Sequence, residues 1–232
     1  IDDVIIYSKN ENDHVKHVDW VLSKLLQANM RVSIEKSKFF KTSVEYLGFI
    51  VSIDGIRTSP EKVRTIKNYP QPSSLYELRS VMGLASYYRC FIRDFAKIAK
   101  PLTDELKGEK GRVSASQSKK VKIEMKPDQI NAFEKLRSIL ISEDVLLSYP
   151  DFNKPFDLTT DASSLGLDAV LSQDKKPIQF ISRTLKGPEL NFATNERELL
   201  AIVWALKILR HYIYGVKSLN IYTDHQPLAF AV

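Results

Sequence analysis

Phe156-Asp157-Leu158-Thr159-Thr160-Asp161 alternates apolar and polar side chains, the period of a strand with one buried face. Working outward from it, 167–172 and 178–182 are short apolar runs of strand length, 195–212 repeats apolar residues at helical spacing, and 218–223 is a further β-rich run. Strands in succession, then a long helix, then a strand, predict a mixed sheet with the helix packed on one face. No internal repeat at a fixed period is present.

Three acids stand at telling places in that pattern. Asp161 ends the first strand, Glu198 lies near the start of the long helix, and Asp224 follows the last strand. Glu198 shares a helical face with Ile202, Ala205 and Leu209, where a carboxylate is costly without a partner. A magnesium ion would supply one. Two such ions about 4 Å apart, clamped by converging carboxylates, activate water in phosphodiester cleavage. Each acid also has a plainer reading. Glu198 follows Asn195 by three positions, the capping-box spacing; Asp161 before Ala162-Ser163-Ser164 suits a turn; Asp224 suits the cap of a helix starting near Pro227.

Upstream, Ile1-Asp2-Asp3 precedes a β-branched run, which predicts a turn feeding a short strand over residues 4–8. Residues 11–29 read as an amphipathic helix. Residues 44–56 read as a strand, an Asp54-Gly55 turn and the start of a return, a hairpin. Ser59-Pro60 and Ser74 open helices, with Pro70 and Pro72 ending the first. A third helix is expected over 96–106, making a small helical unit, and another over 127–141. Between them, Lys107 to Lys126 holds seven basic side chains against Glu109 and Glu124. That run suits a polyanion and equally a solvated Gly- and Ser-containing linker.

Composition bounds these readings. The 232 residues carry a net charge of +6, with 44% hydrophobic and 27% charged residues, which excludes wholesale disorder and allows one large or two modest domains. Residues 151–232 hold nine basic and nine acidic side chains, so the whole excess lies upstream. The one cysteine, Cys90, forms no internal disulfide, which favours an intracellular setting. Nothing has the length of a membrane span. The chain opens on Ile1 rather than Met, which suggests a piece of a longer polypeptide.

The strings Thr159-Thr160-Asp161-Ala162-Ser163, Thr194-Asn195-Glu196-Arg197-Glu198-Leu199-Leu200-Ala201-Ile202-Val203-Trp204-Ala205-Leu206 and Tyr222-Thr223-Asp224-His225-Gln226-Pro227-Leu228 resemble the ribonuclease H domain in the Pol polyprotein of gypsy-type LTR retrotransposons. Ile1-Asp2-Asp3 resembles the end of the reverse transcriptase Tyr-x-Asp-Asp motif. Tyr46-Leu47-Gly48-Phe49 is similar to the primer-grip hairpin, and 84–92 to a thumb helix of that family.

The resemblance covers the whole chain. It implies an α+β multidomain architecture: the C-terminal part of a reverse transcriptase palm with its primer grip (1–57), a helical thumb (58–107), a basic linker or connection (108–150) and a C-terminally truncated ribonuclease H-like domain (151–232). It implies metal-binding and catalytic roles for Asp2 and Asp3 in RNA-directed DNA synthesis, and for Asp161, Glu198 and Asp224 in hydrolysis of the RNA strand of RNA/DNA hybrids. Glu196 is the second choice for the helix acid. Tyr46, Leu47, Gly48 and Phe49 would position the primer. Independently of the resemblance, the basic run offers Lys119, Lys120 and Lys122 as nucleic-acid contacts. Implied cofactors are Mg2+, or Mn2+, two ions per active site. Implied partners are RNA/DNA hybrid, primer-template duplex and deoxynucleoside triphosphates, with no membrane, in a cytoplasmic particle. The fingers, the first half of the palm and its earlier metal-binding Asp are missing, and the fourth ribonuclease H acid would lie past Val232. Asp168 stands where the family usually has Gly, an extra acid expected to raise neighbouring pKa values. A non-catalytic hybrid-binding module or decayed relic is the alternative reading.

Two weaker candidates complete the survey. His14 and His17 have the spacing of a metal pair but lie on the polar side of a helix. Tyr87, Tyr88 and Phe91 suit base stacking or, at helical spacing, a core.

Overall fold

The computed structural model describes residues 3–107, 113–142 and 146–224. The first helix, α1 (Glu11–Gln27), is capped by Asn10, whose side chain accepts from the Asp13 amide. Three strands follow, β1 (Ser43–Tyr46), β2 (Phe49–Ser52) and β3 (Gly55–Thr58), paired antiparallel in that order. The hairpin expected over 44–56 is therefore two. Leu47 and Gly48 both have positive φ (49° and 77°), so they form a tight two-residue turn, and the backbone twist of such a turn matches that of its strands. The second turn is at Ile53 and Asp54, while Gly55 already pairs with Ser52. Gly55 has φ 137°, and a Cβ there would lie 2.3 Å from the Leu147 carbonyl oxygen. Only glycine lets Ile56 and Leu147 exchange both backbone hydrogen bonds, at 2.8 and 2.9 Å.

Residues 3–8 form no strand. Val4 and Tyr7 stay exposed, and among the described residues no neighbouring strand takes their amides; β-propensity without a hydrogen-bonding partner does not make a strand.

Helices α2 (Pro60–Lys67), α3 (Leu75–Tyr87), α4 (Phe95–Lys107) and α6 (Pro127–Ile141) enclose the first core, with the four-residue α5 (Ala115–Ser118) beside α3. Leu78, Tyr88, Leu102 and Leu136 are almost fully excluded from water, each aliphatic side chain contributing about 1.5–3 kcal/mol by burial. Past Tyr87 the chain tightens into a 3-10 turn, Arg89–Phe91. The basic run is only in part a linker. Residues 108–112 lie outside the described residues, whereas the Leu75 amide bonds the Val121 carbonyl and the Ile123 amide bonds the Ser73 carbonyl, both at 3.0 Å. Ser118 and Met125 are buried. A segment whose backbone pairs and whose side chains bury is a docked element.

The second unit has strands β4 (Phe156–Ala162), β5 (Gly166–Gln173), β6 (Lys176–Thr184) and β7 (Leu219–Tyr222), in the order β6-β5-β4-β7, with β7 parallel to β4 and the others antiparallel. The long helix α7 (Thr194–Ile208), followed by the short α8 (Arg210–Ile213), covers one face, where Phe156, Leu158, Leu171 and Ile181 meet Ala205 and Leu209. This is the mixed sheet with a packed helix expected from sequence. The helical unit abuts the sheet on its other side, through α4 and the 3-10 turn against β6 and through Phe180 packed on the first core.

One hydroxyl holds that joint. The Ser182 Oγ, buried on β6, accepts from the Ala96 amide at 2.9 Å and so caps the first turn of α4 from a different part of the chain. Ser182→Ala leaves that buried N–H without a partner. The expected loss is about 1–2 kcal/mol in urea-unfolding free energy; an unchanged midpoint and slope would contradict the capping role.

Candidate metal centre and nucleic-acid surfaces

Parallel pairing of β4 with β7 sets the first two acids side by side. Thr159 is in register with Tyr222, the last residue of β7, so Asp161 on β4 and Asp224 just past β7 each stand two residues further along. Both are exposed at the sheet's edge. Glu198 comes to them from α7. The helix is capped at Ala193, whose amide donates to Glu196 Oε2 at 2.8 Å, so Glu196 and not Glu198 is the capping acid. Glu198 instead points into the sheet and is 3% exposed. Its Oε1 accepts from the Ala162 amide at 3.2 Å, while its Oε2 is buried with no hydrogen-bond partner.

One carboxylate oxygen from each of Asp161, Glu198 and Asp224 lies within 4.8 Å of the others. Burial, then the charges of Asp224 and Asp161, push the Glu198 carboxyl up to about 7. Three converging acids with one orphaned buried oxygen fit a hard divalent cation, which takes oxygen ligands at short range. The helix expected to start near Pro227, with Asp224 as its cap, lies outside the described residues.

Asp168 behaves differently from the expectation. It pairs in register with Asp161 but faces away from α7, since its neighbours Leu167 and Ala169 supply the α7-side cores. It lines a small cavity with Arg93 and Asp94, is 7% exposed, and leaves Oδ1 unpartnered. Its own carboxyl moves, pushed up to about 7 by burial and then by Asp94 and Asp161, against the opposing pull of Lys97 and Arg93.

The turn at Leu47-Gly48 is gripped by two phenols. Tyr87 donates to the Leu47 carbonyl and Tyr88 to the Gly48 carbonyl, the latter at 3.0 Å. Phe49 stacks on Tyr87 with centroids 5.2 Å apart. Tyr88 and Phe91 are core residues, which removes them as stacking platforms; Tyr87 keeps about half its surface. Burial pushes the Tyr88 hydroxyl up to about 12, so it stays protonated and donating. Tyr46 donates to the Asp3 carbonyl at 3.4 Å, which brings the hairpin to exposed Asp3; Asp2 lies outside the described residues. Lys119, Lys120 and Lys122 are exposed, with Lys119 Nζ 4.9 Å from the Tyr76 ring centre. His14 and His17 both bond Ser8 Oγ through Nδ1, and among the described residues no third ligand joins them. Sequence reasoning missed the grip by Tyr87 and Tyr88 and the joint at Ser182, because each links residues 40 or more positions apart.

A mixed sheet carrying an acidic cluster at the strand ends, behind a hairpin and helical unit, defines a reverse transcriptase segment joined to an RNase H-like domain. Residues 151–232 match the RNase H-like domain found in reverse transcriptase, and residues 1–51 match reverse transcriptase (RNA-dependent DNA polymerase). The chain is similar to the retrovirus-related Pol polyprotein from transposon gypsy of Drosophila melanogaster, 65% identical over all of this chain and 22% of the relative. It is 48% identical to that from transposon opus of the same organism, over all of this chain and 23% of the relative. The Tf2-3 polyprotein of Schizosaccharomyces pombe is 35% identical over 98% of this chain and 17% of its own length. Among solved structures, foamy viral protease-reverse transcriptase in complex with RNA/DNA hybrid superposes with TM-score 0.77 at 25% identity, over 96% of this chain and 30% of that one. The same protein in complex with dsDNA gives 0.76 at 24% identity, over 97% and 46%. The chain is a gypsy-type retrotransposon Pol polyprotein segment, with the C-terminal part of the reverse transcriptase and an RNase H-like domain. It spans about a fifth of the length of the curated relatives it matches. Among the described residues no helix is long and apolar enough to cross a membrane.

The raised Asp168 carboxyl has a stability consequence. Its folded-state pKa lies above the ordinary value of 3.8, so its stabilising contribution is complete below about pH 4 and is lost as pH rises through about 7. Without added divalent ions, Asp168→Asn is expected to flatten this decline and to exceed the parent by about 1–3 kcal/mol at pH 8. Urea titrations at pH 5 and 8 check it, and parallel declines in the two proteins would refute it.

Proposed function

We propose that this segment hydrolyses the RNA strand of RNA/DNA hybrids at Asp161, Glu198 and Asp224, within a polypeptide that also carries out RNA-directed DNA synthesis. The observation that carries the reading is the convergence of three carboxylates around the partnerless buried Oε2 of Glu198. Asp161, Glu198 and Asp224 would hold Mg2+, or Mn2+, as a pair of ions. Bound there, the ions supply an activated water and neutralise charge on the leaving oxygen. The chain's own groups do the rest. The Ala162 amide orients the Glu198 carboxylate through Oε1 and leaves Oε2 for ligation, while the capped first turn of α7 fixes the helix that carries it. A carboxyl with a pKa of about 7 releases its proton to water as a cation takes its place near neutrality, so occupancy rises as pH approaches that value.

In the same reading, residues 1–57 are the end of a polymerase palm, 58–107 a thumb, 108–150 a connection and 151–232 the nuclease domain. Asp2 and Asp3 serve as palm metal ligands, and Tyr46, Leu47, Gly48 and Phe49 position the primer end. Lys119, Lys120 and Lys122 contact the duplex backbone. Support comes from the Tyr46 bond to the Asp3 carbonyl, which sets the hairpin beside Asp3, and from the exposure of the three lysines on a docked segment. Foamy viral protease-reverse transcriptase, similar in fold, is known in complex with RNA/DNA hybrid and with dsDNA. Hybrid, primer-template duplex and deoxynucleoside triphosphates are thus the partners proposed for the whole protein.

In the full-length parent polypeptide with Mg2+, Asp161→Asn is expected to lower hybrid-RNA cleavage by about 100-fold or more while hybrid binding persists. A parent protein that leaves the RNA strand intact would instead favour the non-catalytic hybrid-binding module. Replacing Lys119, Lys120 and Lys122 together with Ala should weaken hybrid binding and reduce the slope of log affinity against log salt by about 2–3. Fluorescence anisotropy across a salt series measures it, and an unchanged slope removes these lysines from the interface.

A further inference from the structure

The end of α3 touches both halves of the molecule through three consecutive side chains. Tyr87 and Tyr88 donate to the carbonyls of the β1–β2 turn, and the Gly48 carbonyl also accepts from the Ser59 amide at 3.2 Å. The turn is therefore held from two helices, and Phe49 lies between Tyr87 and Phe91, at 5.2 and 5.7 Å. There is no slack at Gly48, where a Cβ would come 3.1 Å from the Tyr88 hydroxyl oxygen. The next residue, Arg89, donates to the Ser182 carbonyl on β6, while the hydroxyl of that serine caps α4. Ser182 is in register with Asp168, and Asp168 with Asp161. A row of two sheet rungs thus runs from the Arg89 contact to one acid of the carboxylate cluster.

We propose that Tyr87, Tyr88 and Arg89 are positioning residues that lock the Leu47-Gly48 turn to the nuclease sheet and so set how many base pairs separate the primer end from the point of RNA cleavage. The inference rests on the function proposed above, in which the turn meets the primer end and the cluster cuts RNA. None of the three is placed at reacting atoms. They act by fixing the distance and angle between two sites that share one duplex, as small displacements of a bound substrate carry large rate penalties at a given bond. Hydrogen bonds into backbone carbonyls suit that task, because the turn and the strand then move only with the helix that joins them.

The test maps RNA cut positions relative to the primer 3′ end, using the full-length polypeptide on an end-labelled RNA template annealed to a DNA primer. The parent is expected to cut at one dominant distance. The triple variant Tyr87→Phe, Tyr88→Phe, Arg89→Ala should spread the cuts over several neighbouring positions, with primer extension and total cleavage within about threefold of the parent. Arg89→Lys, which keeps a donor for the Ser182 carbonyl, should restore part of the dominance. If the triple variant does not fold by thermal melting, Tyr88→Phe alone, which removes one hydroxyl and keeps the ring, carries the same expectation. An unchanged cut distribution in a folded variant overturns the coupling and leaves the proposed function standing. A parent that cuts with no preferred distance also overturns the coupling. A parent that neither extends primers nor cuts hybrids overturns both.

Discussion

The structure turns on the burial of one carboxylate. Glu198 lies between α7 and the sheet, with one oxygen on the Ala162 amide and the other on nothing. An ionised group in that position is costly by several kcal/mol unless a proton or a cation compensates. Its raised pKa is the proton's answer, and the approach of Asp161 and Asp224 is the arrangement that suits a cation. The packing of α7, the parallel pairing of β7 with β4 and the cap at Ala193 all serve to keep those three groups within 4.8 Å.

That sheet is sandwiched between unlike neighbours. On the α7 side the contact is apolar and continuous, from Phe156 and Leu158 to Ala205 and Leu209. On the other it mixes Phe180 with polar devices: the Arg89 bond to the Ser182 carbonyl, the cap that Ser182 gives α4, and Asp168 facing Arg93, Asp94 and Lys97. Hydrogen bonds are directional, so these polar contacts admit one register of helix on sheet. The polar joint is therefore the part that defines how the helical unit sits against the mixed sheet.

Asp168 shows what such a joint costs. A buried carboxyl beside two like charges is held in its neutral form up to about pH 7, and the two cations nearby do not cancel the burial. The acid is tolerated because it can stay protonated in that position.

Much of this was legible in the residues. Strand alternation at 156–161, helical spacing after Asn195 and the helix starts at Ser59 and Ser74 are local, so period and propensity suffice for them. Asp161, Glu198 and Asp224 could be singled out because strand ends and a helix start mark where a sheet exposes chemistry. Sequence spacing could not separate Glu198 from a capping role, since Asn195 precedes it at the capping-box interval and only the observed start of α7 at Thr194 makes Glu196 the capping acid. Nor could it find the tight turn at Leu47, whose carbonyls are held by phenols 40 positions away, or the docking of 113–126. The same holds for Asp168, whose charge was visible but whose burial came from α4. Local preference is written along the chain; which distant carbonyl meets which hydroxyl depends on how two cores pack, and that is decided only when the chain has folded.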